Sequence, residues 1–223
     1  MIRLDNVSKV YRSGAEALHA LSDVTLTVNE GEFLAVTGTS GSGKTTLLNL
    51  VGALDRPTAG AVWVDGLSLG EATDSQLSDF RNESVGFIFQ AYHLDPGQSA
   101  LQNVAVSLLF RDMGRRERKK LARESLRAVG LDAQVKQAAG VLSAGQKRRL
   151  TIARALVKRP RIILADEPTA NLDRKNAEDV LHLLKQANED DRVTVVLVSH
   201  EEASHAMADR TVRMENGRIV DDV

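Results

Sequence analysis

The sequence predicts an α/β fold with a mostly parallel core sheet, a β-rich N-terminal part and a helical insert. Three observations carry this. Short apolar runs, Phe33-Leu34-Ala35-Val36, Ile162-Ile163-Leu164-Ala165 and Val195-Val196-Leu197-Val198, have the composition of strands covered on both faces. Outside the first of these runs, the early part of the chain alternates apolar and polar residues, as half-buried antiparallel strands do. From about residue 100 to 158 one helical pattern follows another.

In chain order, Ile2, Leu4 and Val7 sit near alternation, as do Val24, Leu26 and Val28, and Asn29-Glu30-Gly31 supplies a turn. The run from Phe33 to Val36 enters a Gly-rich loop, and Thr45 to Leu54 has helical character. Val62 and Val64 alternate towards a turn at Asp65-Gly66. The insert is predicted as helices over Ala100 to Met113, Arg115 to Val129 (ended by Gly130) and Gln146 to Lys158 (stopped by Pro160). Asn176 to Asn188 puts Ala177, Val180, Leu181, Leu184 and Ala187 on one helical face. Asn216-Gly217 is a hairpin signal between Val212-Arg213-Met214 and Ile219-Val220. There is no internal repeat, low-complexity tract or Pro-rich linker.

At 223 residues the chain fits one domain, or one domain with an inserted lobe. Lys and Arg total 29 against 30 Asp and Glu, for a net charge of -1; a protein that gripped nucleic acid through bulk positive charge would be more basic. The absence of cysteine excludes disulfides, Cys-ligated zinc and thiol catalysis. No apolar stretch reaches the roughly 18 residues of a membrane span, and Met1 to Asp5 opens no signal peptide. A soluble, intracellular protein is expected.

Gly38-Thr39-Ser40-Gly41-Ser42-Gly43-Lys44-Thr45 matches G-x-x-x-x-G-K-[ST], with an apolar strand before it and a helix after it. Such glycines let successive backbone N–H groups turn inward around phosphate oxygens, and the helix N-terminus adds its dipole. Lys44 is placed as a point charge for the outer phosphates. The Thr45 hydroxyl, with Thr46 beside it, is placed to ligate Mg²⁺. Asp166 and Glu167 end the run Ile162 to Ala165, and chemistry in open parallel sheets lies beyond the carboxyl ends of the strands. Asp166 is therefore a candidate Mg²⁺ ligand, and Glu167 a candidate for orienting an attacking water.

Leu142-Ser143-Ala144-Gly145-Gln146 opens a basic helix, where Ser143 and the Gly145 backbone form a second candidate anion site. With this segment in place, the chain resembles the ATP-binding cassette family, the nucleotide-binding domains of ABC transporters, from Ile2 to about Val220. The family's L-S-G-G-Q signature has Ala144 at its third place here. Gly52-Ala53-Leu54-Asp55-Arg56-Pro57-Thr58-Ala59-Gly60, Gly86-Phe87-Ile88-Phe89-Gln90, Leu101-Gln102-Asn103-Val104-Ala105 and Ala165 to Asp173 are most similar to the MacB/LolD-type group.

The resemblance implies a P-loop NTPase core with an antiparallel β subdomain and an inserted α-helical subdomain. The whole chain, residues 1-223, would be one ATP-binding domain, with its core about 1-90 and 160-223 and its helical subdomain about 91-159. It further implies that Tyr11 stacks on adenine, that Gln90 contacts Mg²⁺ and the attacking water, and that His200 contacts the γ-phosphate. Asn171-Leu172-Asp173 would cross to a second copy. Two chains would enclose two ATP, each site joining Lys44, Thr45, Asp166, Glu167 and His200 of one chain to Ser143, Gly145 and Gln146 of the other.

As an ATPase of this kind, the chain would serve an FtsX-like permease from the cytoplasmic face of the plasma membrane, exporting lipoprotein, peptide or drug. A periplasmic or extracellular adaptor would act through the permease, and nucleic acid has no part. The alternative is a division-type cassette that transmits force to cell-wall enzymes. A small-molecule P-loop kinase has no use for Leu142 to Gln146. Two departures bear on the site. Thr39 replaces a common proline at little cost in rigidity. Ala144 weakens the signature if its position needs a positive φ, and is harmless if the position is helical.

Overall fold

The computed structural model describes residues 1–14, 16–200 and 202–223, with backbone alone at Ser13, Glu202 and Ala203. Among these residues the chain forms ten strands and seven helices. Two sheets are present. The first is antiparallel, in the order β2-β1-β4-β5, from β1 (Ile2–Ser13), β2 (Glu16–Val28), β4 (Ala59–Val64) and β5 (Leu67–Ser68). β1 and β2 pair from Ile2 with Val28 to Ser13 with Glu16, a ribbon much longer than the alternation of Ile2, Leu4 and Val7 indicates. Past the Lys9–Leu21 pair no described side chain of the ribbon is buried, so no apolar period marks it.

The second sheet has six strands in the order β10-β9-β3-β8-β7-β6. β3 (Phe33–Gly38), β8 (Thr194–Val198), β7 (Ile162–Asp166) and β6 (Val85–Ile88) run parallel, and β9 (Arg210–Glu215) joins β3 in parallel on the other side. β10 (Arg218–Asp222) closes the edge antiparallel to β9. Asn216 at φ 47° and Gly217 at φ 74° make the tight turn between them, as Asn-Gly predicts.

The pleat of the parallel strands sorts the core into two apolar clusters. Leu34, Val36, Ile162, Leu164, Val196 and Val198 face one side, towards α1 (Lys44–Val51), α2 (Asp74–Glu83) and the antiparallel sheet. Phe33, Ile163, Ala165, Val195 and Leu197 face the other, towards α3 (Ala100–Ala105), α4 (Arg115–Ala128), α5 (Ala144–Leu156) and α6 (Arg174–Asp191). Both faces are covered, which is why these strands read as continuous apolar runs. Leu47 and Leu50 of α1 are wholly buried, and truncating either to Ala would cost about 2–5 kcal/mol.

The helices differ from expectation at their ends. The helix predicted over Ala100 to Met113 stops at Ala105, and one 3₁₀ turn, Val106–Leu108, follows. Val106, Leu109 and Phe110 are exposed there, so those apolar residues reflect an open face and not a continuing buried stripe. α6 is longer than predicted because Asp173 caps it, accepting from the Asn176 amide at 3.0 Å. α2 was not foreseen. Its signal was a capping box, in which Thr73 and Gln76 satisfy each other's backbone amides. α7 (Glu202–Met207) completes the chain of elements. No helix among the described residues is long and apolar enough to cross a membrane.

Candidate nucleotide site

Four neighbouring parallel strands end at one cleft. β3 runs into the Gly-rich loop, Gln90 lies two residues beyond β6, Asp166 is the last residue of β7, and His200 lies two residues beyond β8. The cleft has a volume of about 460 Å³ and is lined by Tyr11, Ser40 to Thr46, Gln90, Asp166, Glu167 and His200. Residues far apart in sequence meet because parallel strands all present their carboxyl ends on the same edge.

The loop depends on glycine at two close approaches. Gly38 has φ 140°, and a Cβ there would lie 2.1 Å from the Met214 carbonyl oxygen. Gly43 has φ 101°, and a Cβ there would lie 2.4 Å from the Ala20 carbonyl oxygen. Thr39 adopts no left-handed backbone, so the missing proline leaves the loop geometry unstrained. Lys44 is 6% exposed, and its ammonium donates to the Gly38 and Thr39 carbonyls, each at 2.8 Å. Burial pushes its pKa down, while Glu167 and Asp166 pull it back up. A lysine held on its own loop is ready to turn to phosphate oxygens.

Thr45 Oγ1 donates to Asp166 Oδ2 at 2.9 Å. A hydroxyl and a carboxylate at this separation, with the Gln90 side chain on the same cleft, are hard oxygen donors of the kind Mg²⁺ takes. Glu167 follows on a left-handed backbone at φ 47°, an uncommon conformation that turns its carboxylate into the cleft. Its Oε1 lies 2.8 Å from His200 Nε2. Burial raises the Glu167 pKa, against the opposing pull of His200 and Lys44. A carboxylate with a raised pKa beside a polarising lysine suits proton handling at an attacking water.

At the opposite end, Tyr11 of β1 pairs with Leu18 of β2, and both open on the cleft. The Tyr11 hydroxyl donates to Asp55 Oδ2 at 2.8 Å, which fixes the ring as a flat wall. Leu18, Ala20, Ala170 and Val198 also line the cleft. The sequence reading missed these four, because small and aliphatic residues carry no chemical signature.

Ser143, Gly145 and Gln146 do not line this cleft. They open α5, where Ser143 and Gln146 form a capping box, with the Gln146 amide donating to Ser143 Oγ at 3.3 Å. Ala144 is the first residue of α5, exposed and without a positive φ, so the backbone does not require glycine there. Gly145 is different. A Cβ on it would lie 2.1 Å from Asn176 Oδ1, so its glycine is dictated by packing within the chain.

A glycine-cradled lysine, a hydroxyl–carboxylate pair and a glutamate turned into the same cleft, all on one parallel sheet, define an ATPase of the P-loop class. The family model for "ABC transporter" matches residues 21–170, and the chain belongs to that family. It is an ABC transporter ATP-binding subunit of the LolD/MacB group, and an ATPase. It is 44% identical over 219 residues to the lipoprotein-releasing system ATP-binding protein LolD of Bordetella avium, covering 98% of this chain and 95% of that one. It is 44% identical over 222 residues to the macrolide export ATP-binding/permease protein MacB 1/2 of Paracoccus denitrificans; that match takes in 100% of this chain and 33% of that longer protein. Among solved structures, the dimeric post-hydrolysis cassette MJ0796 of Methanocaldococcus jannaschii, bound to ADP and Pi, is 40% identical with a TM-score of 0.94, covering 100% of this chain and 98% of that one.

Proposed function

We propose that this chain powers an FtsX-like permease by closing as a head-to-tail dimer around two ATP, driving export of a lipoprotein, peptide or drug. The observation that carries the dimer is the incompleteness of the cleft. Lys44, Thr45, Gln90, Asp166, Glu167 and His200 share it, while Ser143, Gly145 and Gln146 lie outside it at the N-terminus of α5, where Ser143 and Ala144 are exposed and Gly145 is buried. One chain cannot surround the γ-phosphate, and the α5 N-terminus of a second copy would supply the missing donors.

Each residue then has a task. Tyr11 stacks on the adenine. The backbone from Gly38 to Thr46, with Ser40, Gly41, Ser42 and Gly43, wraps the phosphates, and Lys44 neutralises the outer ones. Thr45, Asp166 and Gln90 would hold Mg²⁺, which supplies charge neutralisation when bound. Glu167 accepts the proton of the attacking water, and His200 holds Glu167 and the γ-phosphate in register. Hydrolysis removes the contact that favours closure, so the dimer opens. The helical insert carries that motion to the permease. Phe110, 86% exposed beside Leu109 and Val106, gives the insert an apolar face of the kind a protein partner covers. The chain would sit peripherally on the cytoplasmic face of the membrane.

A mixing experiment tests the composite site. A K44A chain and an S143R chain are each inactive alone. Mixed, they form heterodimers in which the intact Ser143 of the first faces the intact Lys44 of the second, so ATPase activity returns. No recovery on mixing would mean that each site is built within one chain. Capture of the tagged chain from native membranes tests the partner. An FtsX-like permease in the complex supports export, a cell-wall hydrolase regulator with it supports force transmission, and no membrane protein at all removes the transport role.

A further inference from the structure

Arg148 has no task in the reading above, yet it is the largest fully buried side chain among the described residues, at 1% exposure. A buried guanidinium is costly unless its donors are met. Among the described residues no carboxylate pairs with it; backbone meets its two terminal nitrogens, and Nε has no partner. Nη1 donates to the Phe89 carbonyl at 2.6 Å and Nη2 to the Gln90 carbonyl at 2.9 Å, and the guanidinium carbon lies 4.8 Å from the centre of the Tyr92 ring. Further along α5, Arg154 donates to the Tyr92 carbonyl at 2.9 Å and to the His93 carbonyl. Helix α5 thus holds the carbonyls of Phe89, Gln90, Tyr92 and His93. This segment follows β6 and belongs to no strand, so α5 sets its backbone orientation. The N-cap of the same helix is Ser143, about 8 Å back along its axis at 1.5 Å per residue.

We propose that Arg148 is a positioning residue that ties Gln90, in the chain's own cleft, to the signature end of α5. Engagement of Ser143 by a second copy's nucleotide is then felt at the metal-and-water side of this chain's own site. The proposal rests on the roles given above to Gln90 and to the composite site. A planar fork suits two adjacent carbonyls. A lysine at the same place reaches one of them, and a methionine fills the space without a donor.

The test is a double-mutant cycle in the full chain, using R148M, R148K, Q90A and R148M combined with Q90A. Turnover is measured against ATP and against Mg²⁺, and ADP affinity is measured on the same preparations. R148M is expected to lower kcat on the order of tenfold or more and to raise the Mg²⁺ needed for half-maximal rate, with R148K between it and wild type. ADP affinity, which reports the phosphate loop, should stay within about twofold, and Q90A should cost far less in R148M than in wild type. General destabilisation would lower ADP affinity as well, and would overturn the proposal. Wild-type turnover by R148M, or costs that simply multiply, would overturn the coupling and leave the role of Gln90 standing. Wild-type turnover by Q90A would remove that role and the coupling with it. If R148M does not fold, R148K with Q90A carries the same cycle.

Discussion

The Thr45 hydroxyl donates to Asp166 Oδ2 at 2.9 Å, closing a gap of 121 residues and joining the first turn of α1 to the end of β7. The contact exists because β3 and β7 are separated only by β8 in the sheet, so the loop after β3 and the tip of β7 end on one edge. Asp166→Asn keeps the shape of the pair and removes its charge. The Mg²⁺ concentration for half-maximal ATPase rate should rise about tenfold or more. ADP affinity measured in chelator, which depends on the phosphate loop, should stay near wild type. Equal loss of both would refute a metal role for Asp166.

Glu167→Gln should lower kcat on the order of a hundredfold or more while nucleotide still binds. The same substitution tests the electrostatics. Because the folded-state pKa of Glu167 is raised, first by burial, folding favours its protonated form. The stability that goes with proton binding is present below the ordinary carboxylate range and is lost as pH rises through the folded value. The glutamine variant should therefore melt higher than wild type at neutral pH, and the difference should shrink in acid. Melting curves across pH decide it; a constant offset would contradict the raised value.

The two small residues of the signature should respond to different degrees. Ala144→Gly replaces a helical, exposed alanine and should cost less than about 1 kcal/mol of stability. Gly145→Ala puts a methyl group against Asn176, which is itself held by Asp173 at 2.6 Å, and should cost about 1–3 kcal/mol. Removing the obstacle with Asn176→Ala in the Gly145→Ala background should recover most of that loss. Denaturant titration of these three variants beside wild type measures it. No recovery would show that the methyl is resisted by something other than Asn176.

Lys158 gives stability an alkaline dependence. Its ammonium donates to the Arg81 and Val85 carbonyls, and burial, with Arg111 nearby, lowers its pKa to about 8 from an ordinary 10.5. Below about 8 both the folded and the unfolded chain carry the charge, and the folded chain bears the full cost of burying it. From about 8 to 10.5 the unfolded chain binds more protons, so stability from this group rises with pH. Wild type should gain on Lys158→Met across that window when both are melted in parallel. A gap independent of pH would place the lysine in an ordinary environment.

Much of the site was legible because its chemistry constrains sequence. The spacing from Gly38 to Thr45 marks the phosphate loop, and the acids at the end of Ile162 to Ala165 mark a buried strand tip. The Asn216-Gly217 turn was equally plain, since few dipeptides take two successive positive φ values. The far half of the β1–β2 ribbon and helix α2 were less so. Past the Lys9–Leu21 pair no described side chain of the ribbon is buried to impose a period, and α2 buries only Leu77 and Phe80, too few to stand out.

By itself the sequence determined the α/β class, the phosphate loop and its strand and helix, and the residues that carry charge and hydroxyl to the site. These are properties of short segments, where spacing and residue type state the physical requirement directly. Only the tertiary structure decided what those segments do to each other. It showed that Ala144 is a helical residue, that Gly145 is glycine because of Asn176, and that Arg148 is buried on the backbone of Gln90. The last two are contacts between chain segments roughly 30 and 60 residues apart. Such contacts depend on how helices and strands pack, and packing leaves no fixed spacing in the sequence.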